Sequence, residues 1–402
     1  MDAFNLAEVL AIYILASRLA LRNLGGVVRE MTLALFNLGG VYYFLFDHYP
    51  VRIAAYVGLI LFYYVLFWLF CEAKGRLVWI AFFGPLLGLV FFRYVPGPVF
   101  EALGRAMGGH PYEVPNLLGI SYLAFRCSRL VLEVRNGTAG RPGVLEYLNF
   151  AFFVPTMSVG PINSYANFRR GFTLPRWEVP AGRAALRLLV GLVKYQYLSS
   201  ILYRLTYSEF LLNGHPHAWP ALPVAMVMYY LFLYCNFSGF CDMAIGAAAL
   251  IGIPVPENFA NPFAARNVKD FWNRWHITLS AWMRDIVFSP LSKYLVGKFG
   301  LNQANQAIAV TIVVVFLLIG IWHGAALNFA VYGAVHALGV VVNHYYTIWL
   351  KRKLGRDEFK AYNENRWIHG AAVGITFCYC GGSLIFFANS FSQIADILSS
   401  LK

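Results

Sequence analysis

The sequence predicts an all-α, polytopic integral membrane protein, a helical bundle with about eleven transmembrane helices. Of its 402 residues, 59% are hydrophobic and only 13% are charged, whereas about 25% of the residues of a soluble domain are charged. Apolar runs close to the ~20 residues that cross a bilayer recur along the chain. The basic residues, which give a formal net charge of +13, lie mainly in short runs between those segments. That distribution is typical of loops facing anionic lipid and the cytoplasm, and it argues against nucleic-acid binding.

The candidate spans, in chain order, are the apolar runs 4–21, 31–46, 53–70, 77–92, 116–134, 144–159, 184–205, 221–253, 307–322, 325–348 and 367–387. The first run lacks the basic flank and cleavage site of a signal peptide, so we expect it to be a retained span. The run 221–253 would add a further crossing if it folded back on itself. Arg126, Arg187 and Lys194 lie inside runs, where exposure of a charge to lipid costs about 3 kcal/mol. We therefore expect a packed bundle with a polar interior.

The segment 254–306 is basic and too polar for one crossing, so it predicts interfacial or re-entrant helices that open from the cytoplasmic side. The next two runs then form a hairpin whose tip, the sequence WHG, lies far from that surface. No internal repeat is present. We expect a single domain with three parts: N-terminal spans, a catalytic core, and a basic loop with the last span (1–113, 114–348 and 349–402).

The stretch FWNRWHITLSAWMRD, residues 271–285, concentrates polar side chains in an apolar chain. If the stretch is one helix, Asn273, His276 and Ser280 share a stripe along it. Its tryptophans and arginines are typical of an interfacial helix with Trp rings at headgroup depth. A histidine gains nothing from lipid and must find a hydrogen-bond partner. His276 is therefore a candidate functional residue.

A second candidate, His323, lies in the WHG sequence between two apolar runs, directly after Trp322. A neutral imidazole there can act as a general base. The neighbouring Gly320 and Gly324 would allow a substrate to approach closely. Taken alone, such a histidine is more often a hydrogen-bonded core residue than a catalytic one.

Other polar residues have plainer interpretations. His336 is expected to make a structural hydrogen bond, and His215 and His217 are weak evidence for a metal site because no carboxylate is near. Asp242, inside an apolar run, is expected to pair with a buried arginine. Prolines and glycine within 152–170 predict a broken span. The six cysteines form no CxxC pair, which argues against a zinc site or a disulfide framework, and we expect no metal.

The order of the motifs resembles the membrane-bound O-acyltransferase (MBOAT) family over most of the chain. The matching segments are LGISYLAFR (118–126), VPTMSVGPI (154–162), FSGFCDMAIG (237–246), PENFANPFAARNVKDFWNRWHITLSAWMRD (256–285), WHG (322–324) and NRW (365–367). Some of these segments resemble bacterial members that D-alanylate teichoic acids, and FSGFCDMAIG resembles members that O-acetylate alginate.

The resemblance implies an acyltransferase with a central tunnel, in which His323 matches the family's catalytic histidine and His276 its second signature position. The implied reaction moves a small acyl group, D-alanyl or acetyl, from a cytoplasmic thioester donor to hydroxyls of an extracytoplasmic envelope glycopolymer. His323 would take the hydroxyl proton. Asn273 or His276 would stabilise the oxyanion. Ser280, Asp242 and Trp322 are further candidates for positioning the oxyanion or the substrate.

The expected partners follow from the same scheme. Lys269, Arg274 and Arg284, with the basic segment 351–360, are candidates for docking an acyl-carrier protein with its phosphopantetheine, or acyl-CoA. Membrane lipid is the other partner of such residues. The acceptor is the glycopolymer or an extracytoplasmic acyl-relay protein, and the expected location is the bacterial cytoplasmic (inner) membrane. A flippase for lipid-linked sugars and a long-chain lipid or protein O-acyltransferase are the alternatives.

Overall fold

The computed structural model describes residues 3–45, 50–94, 119–173, 180–212 and 215–401. They form almost entirely helices, with isolated bridges but no strands. The α-helices are α1 Ala3–Asn23, α2 Gly26–Leu45, α3 Pro50–Phe70, α4 Val78–Tyr94, α5 Ile120–Arg135, α6 Val144–Ala151, α7 Tyr165–Thr173, α8 Ala181–Leu192, α9 Ser199–Tyr203, α10 Ala221–Ile251, α11 Val268–Arg274, α12 Ile277–Met283, α13 Ser289–Phe299, α14 Ala304–His323, α15 Leu327–Glu364, α16 Arg366–Ala388 and α17 Phe391–Ser400. The predicted all-α fold is confirmed.

Four helical segments of the described chain are long and apolar enough to cross a membrane: Ile53–Phe70, Ala221–Ile251, Leu301–His323 and Arg366–Ala388. The total of eleven crossings stays a prediction. Helix α10 is continuous over 31 residues, so the suggestion that its run folds back on itself is wrong. Helix α15 extends through the predicted basic loop, with an interruption at Gly355, where φ is 72°.

The chain divides into two compact units, one of residues 1–191 with 240–256, the other of 192–239 with 257–402. The three-part, single-domain organisation stays a prediction, and its first border lies outside the described residues. In the first unit, buried Arg126 donates to Thr156 Oγ1 at 3.0 Å and to the Ala151 carbonyl at 2.6 Å. Helix α6 ends at Ala151 and a short 3-10 turn follows at Val154–Thr156. The predicted interior position of Arg126 and the predicted helix break are confirmed, and the crossing of the membrane by this segment stays a prediction.

In the second unit, α14 and α15 form the predicted hairpin, and glycines set how closely the two helices pack. A methyl group on Gly320 would overlap the carbonyl oxygen of Phe329, and one on Gly333 would overlap that of Phe316. A methyl group on Gly324 would overlap the Phe329 ring. Because they lack side chains, Gly320 and Gly324 allow the two helices to pack closely, as small residues do in membrane bundles. The expectation that they make room for substrate is wrong.

We expect Gly333→Ala to destabilise the protein by about 1–3 kcal/mol, because a backbone atom of α14 would have to move. The matched control is Gly374→Ala in α16, where an added methyl group meets no atom within 4 Å. Thermal unfolding in detergent measures both. An unchanged melting temperature for Gly333→Ala would contradict the close packing of the hairpin.

Candidate functional site

The stretch 271–285 is not one helix. Helix α11 ends at Arg274, Trp275 is extended, and His276 has φ 46° and ψ 52°, in the left-handed region, before α12 begins. Backbone pairing to an earlier segment produces the break: Ala260 N–H donates to the Arg274 carbonyl at 2.9 Å, and Ile277 N–H to the Asn258 carbonyl at 3.0 Å. A histidine in this conformation is uncommon and marks a position that its surroundings hold in place.

The predicted polar stripe is therefore wrong. Asn273, near the end of α11, is exposed, whereas His276 is only 3% exposed. Ser280 lies one turn into α12, where its N–H donates to the His276 carbonyl at 3.0 Å. The Ser280 hydroxyl oxygen is buried and has no hydrogen-bond partner in the described part of the chain. Of the three residues, only His276 and Ser280 are brought to the interior by the break.

The tryptophans of this stretch are core residues and do not form an interfacial belt. Trp272, Trp275 and Trp282 are 6%, 6% and 3% exposed. The Trp272 indole N–H donates to His336 Nδ1 at 3.1 Å, and Trp275 stacks on Phe271 with ring centroids 5.5 Å apart. The interfacial interpretation of the tryptophans is wrong, because their rings pack α11 and α12 into the second unit.

His276 is held by a convergent set of hydrogen bonds to Asn258, which is fully buried. Asn258 Oδ1 lies 3.2 Å from His276 Nδ1, 3.2 Å from the Thr278 backbone nitrogen and 2.8 Å from Thr278 Oγ1. Phe237 packs edge-on against the imidazole at 4.8 Å. Burial, followed by the nearby charge of His323, lowers the pKa of His276 from 6.5 to about 3. His276 is therefore neutral at physiological pH.

His323 is the last residue of α14 and is half-buried. Its ring centroid lies 4.5 Å from that of Trp322, 4.9 Å from that of Phe387 and 6.2 Å from that of Tyr332. The Trp322 ring in turn lies 6.2 Å from the His276 ring. The structure thus brings His276, Trp322 and His323 to one corner, where α14 ends beside the broken helix. The partial negative charge of a helix C-terminus favours an imidazolium there.

His336 has the predicted structural role. It is 1% exposed and accepts from Trp272 at Nδ1, so its Nε2 carries the proton and donates to Ser383 Oγ at 2.9 Å. Ser383 in turn donates to the Cys380 carbonyl at 2.7 Å. This chain of bonds ties α11, α15 and α16 together within the second unit. No group of three His, Cys, Asp or Glu side chains in the described ranges is placed to hold a metal.

Asp242 pairs with an arginine, as predicted, but the partner, Arg187, is partly exposed and not buried. Asp242 Oδ1 accepts from Arg187 Nε and Nη2, both at 3.0 Å. Both residues belong to the first unit. The ion pair joins α8 to α10 beside Gly246, where a Cβ would meet the backbone of Leu188 at 2.8 Å. Its contacts support a structural role for Asp242, and its assignment as a positioning residue for substrate stays a prediction.

The basic candidates differ in exposure. Lys269 and Arg284 are exposed, and Arg284 lies 3.3 Å from Asp285. Arg274 is less accessible, since its Nε donates to Asp270 at 2.9 Å and its Nη1 to the Ala260 carbonyl at 3.4 Å. Lys269 and Arg284 are thus accessible to a docking partner, whereas Arg274 helps to hold the loop that precedes α11.

Sequence reasoning missed Asn258, the residue that positions His276. Its signal is the position of a polar asparagine in the segment PENFANPF. A polar side chain between apolar stretches, shortly before a candidate histidine, is a reasonable place to look for that histidine's partner. The contact between the two residues could not be predicted, because they are not close in the sequence.

The low pKa of His276 makes stability depend on pH. The folded pKa of about 3 is below the ordinary 6.5, so the unfolded chain binds a proton that the folded chain does not. The stabilisation from a neutral His276 is complete above pH 6.5 and is lost as the pH falls toward 3. Lowering the pH from about 7 to about 5 should cost wild type up to about 2 kcal/mol more than His276→Asn, which cannot titrate. Equal losses in thermal unfolding would contradict the buried neutral imidazole.

Comparison with known proteins identifies the family of the chain. The model of the membrane-bound O-acyltransferase family matches residues 32–386. A teichoic acid D-alanyltransferase of Streptococcus thermophilus is 32% identical over 65% of this chain and 66% of its own length. The corresponding protein of Bacillus subtilis is 31% identical over 70% of this chain and 71% of its own. A probable alginate O-acetylase of Pseudomonas syringae is 28% identical over 63% of this chain and 49% of its own.

The family match extends over both compact units and includes His276, Trp322 and His323. It confirms the predicted family and, with it, the predicted class of enzyme and the helical membrane fold. The chain spans about two thirds of the teichoic acid relatives and about half of the alginate relative. The chain belongs to the membrane-bound O-acyltransferase family.

Proposed function

We propose that this chain moves a small acyl group, D-alanyl or acetyl, from a cytoplasmic thioester donor to hydroxyl groups of an extracytoplasmic envelope glycopolymer. The observation that carries the proposal is the corner at which the rings of buried His276 and half-buried His323 both lie near the ring of Trp322, at 6.2 Å and 4.5 Å. The names of the relatives support the two acyl groups and the polymeric acceptor, since they specify D-alanyl transfer to teichoic acid and acetylation of alginate.

His323 is the general base in this proposal. An alcohol is a weak nucleophile until a base takes its proton, and a positioned base contributes about 100- to 10,000-fold in rate. His323 is half-buried, so a hydroxyl can reach it, and it lies at a helix C-terminus that stabilises positive charge. The rings of Phe387 and Tyr332 restrict its orientation.

The transfer proceeds by addition and elimination. As His323 takes the hydroxyl proton, the oxygen forms a bond to the thioester carbonyl carbon, and the carbonyl oxygen becomes an oxyanion. The carbon–sulfur bond then breaks, the carbonyl re-forms, and the thiolate leaves with the proton from the imidazolium. The products are an O-acyl ester and a free thiol, and the histidine returns to its neutral state.

Ser280 is the better supported of the predicted oxyanion donors. Its hydroxyl oxygen is buried without a bond to any described residue, one helical turn from His276. A donor aimed at the developing oxyanion is typically worth about 3 kcal/mol. Asn273 is exposed, which argues against its role in a buried transition state.

The donor is an acyl-carrier protein with its phosphopantetheine, or acyl-CoA, and exposed Lys269 and Arg284 offer it positive charge. The chain itself holds no cofactor or metal in this proposal, because the thioester already activates the acyl group. The acceptor is the polymer or an extracytoplasmic acyl-relay protein. The chain is an integral membrane protein, and we place it in the bacterial cytoplasmic membrane.

The proposal is tested in vesicles that contain the purified protein, with an isotope-labelled acyl thioester on one side and glycopolymer on the other. Ester-linked label on the polymer is the expected result. Polymer that crosses the membrane without gaining label would overturn the proposal in favour of a flippase. Label that moves only to lipid or to a protein would favour a long-chain lipid or protein acyltransferase.

A further inference from the structure

The contacts around Asn258 determine which nitrogen of His276 carries the proton. The Thr278 backbone N–H can only donate, so the Asn258 atom that it reaches at 3.2 Å must be the amide oxygen. Swapping the amide oxygen and nitrogen would place a donor against a donor. Because the same oxygen lies 3.2 Å from His276 Nδ1, that nitrogen must carry the proton. In a neutral imidazole the other nitrogen, Nε2, then has only a lone pair.

His276 Nε2 is therefore a buried acceptor. It is shielded from solvent and bonds to no residue in the described ranges. A buried polar atom without a partner is unfavourable and in native proteins usually has one. A neutral Nε2 cannot donate to an oxyanion, which argues against the oxyanion role expected for His276 from the family resemblance. What Nε2 requires is a donor.

We propose that Asn258 is a positioning residue that keeps the proton on Nδ1 of His276, so that Nε2 accepts a hydrogen bond from an O–H group at the Trp322–His323 corner. That group is a hydroxyl of the acyl acceptor other than the one whose proton His323 takes, or a water molecule, which have the same donor chemistry. The identity of the donor as an acceptor hydroxyl rests on the proposed function. The position of the proton on His276 is independent of that function, because it follows from the contacts of Asn258.

An amide suits this role better than a carboxylate would. When His323 takes a proton, a second cation at His276 would oppose it. Aspartate in place of Asn258 would still accept from Nδ1, but its charge would stabilise an imidazolium at His276. The aromatic rings near the His276 ring, those of Phe237 and Trp322, carry no charge, and His323 is the titratable group whose charge acts on it. The neutral amide therefore fixes the tautomer without adding charge.

Asn258 also has a structural role, because its oxygen accepts from the Thr278 N–H at the start of α12. A loss of activity alone would not separate the two roles. The matched control is Asn149, equally buried in the first unit, whose Nδ2 donates to the carbonyls of Glu30 at 2.8 Å and Leu145 at 3.0 Å. Asn149→Leu removes a buried amide with backbone contacts that touches no histidine.

The experiment uses the full chain with ¹⁵N-labelled histidine, and His276→Asn identifies the resonances of His276. In wild type and Asn149→Leu we expect the Nδ1–H tautomer. In Asn258→Leu we expect a shift toward the Nε2–H form and a fall in kcat of about 100-fold, the lower end of what a positioned base contributes, with a smaller change in KM. In Asn258→Asp we expect the ¹⁵N resonances of His276 to show its protonation at a pH about one unit or more above that in wild type, with the Nδ1–H form at higher pH.

The inference is overturned if His276 in wild type has its proton on Nε2, or if Asn258→Leu has the tautomer and kcat of Asn149→Leu. If Asn258→Leu does not fold, Asn258→Asp still decides, because an unchanged pH of His276 protonation in that variant would overturn the inference. Adding the glycopolymer shifts the Nε2 resonance if the donor is the substrate hydroxyl and leaves it unchanged if the donor is water. Wild type with the Nδ1–H form but no acyl transfer would reject the proposed function and leave the tautomer assignment standing.

Discussion

His323→Ala is expected to lower acyl transfer by about 100- to 10,000-fold, because the variant loses the general base at the end of α14. The protein should still fold and insert, since the hairpin depends on glycine packing at Gly320 and Gly333. The measurement is the initial rate of label transfer from thioester to polymer in vesicles, with the amount of inserted protein determined in the same sample.

His344→Ala is the matched control for this variant. His344 lies on the same hairpin, where its Nε2 is 3.2 Å from Asn305 Oδ1. Its loss removes a histidine and a contact between α14 and α15, and it leaves the WHG corner intact. We expect wild-type turnover from this control. Turnover retained by His323→Ala, or lost equally in both variants, would contradict the assignment of His323 as the base.

His276→Asn is expected to have the second largest effect, a fall in turnover of about 100-fold or more, with stability at neutral pH close to that of wild type. Asparagine is among the residues that tolerate the left-handed backbone at this position, where φ is 46°. Its side-chain amide can still donate to Asn258, as Nδ1 does at 3.2 Å. No atom of asparagine replaces Nε2. The variant therefore removes the hydrogen-bond acceptor Nε2 and preserves the conformation of the loop that contains His276.

Turnover and thermal unfolding of His276→Asn are compared with those of His276→Ala. We expect the alanine variant to lose stability as well as activity, because it loses the bond to Asn258 and fits the left-handed conformation poorly. If His276→Asn keeps near-wild-type turnover, then His276 serves only to build the turn between α11 and α12.

Much of the fold could be predicted from composition and from the spacing of apolar residues. Helix α10, the α14–α15 hairpin and the broken span near Pro155 were all predicted, since each follows from the length of an apolar run or from the position of proline. The pairing of Asp242 with an arginine was also predicted, because an unpaired charge in an apolar run is unfavourable.

The site was predicted only in part. His276 and His323 were predicted as site residues because lipid accommodates a histidine poorly, and the structure places the rings of both near that of Trp322. Their roles in the reaction stay predictions. The break at His276 could not be predicted, because a helical pattern continues through it. Pairing with residues 258–260 causes the break, and that contact is distant in sequence.

The same limitation applies to the tryptophans. Aromatic and basic residues have the same local pattern in an interfacial helix and in a helix packed inside the protein. Trp272 donates a hydrogen bond to His336, which belongs to α15, a helix much later in the chain. The sequence around Trp272 does not contain this partner. Local composition therefore indicates which residue types are present, and tertiary packing determines whether they face lipid or protein.

The most direct test of acyl transfer at this corner is the ester content of the envelope glycopolymer in cells that make either the wild-type protein or His323→Ala at equal levels. Mass spectrometry of the purified polymer measures the content and identifies the acyl group. We expect ester-linked D-alanyl or acetyl groups in cells with the wild-type protein and their absence with the variant. Equal ester content in the two polymers would contradict it.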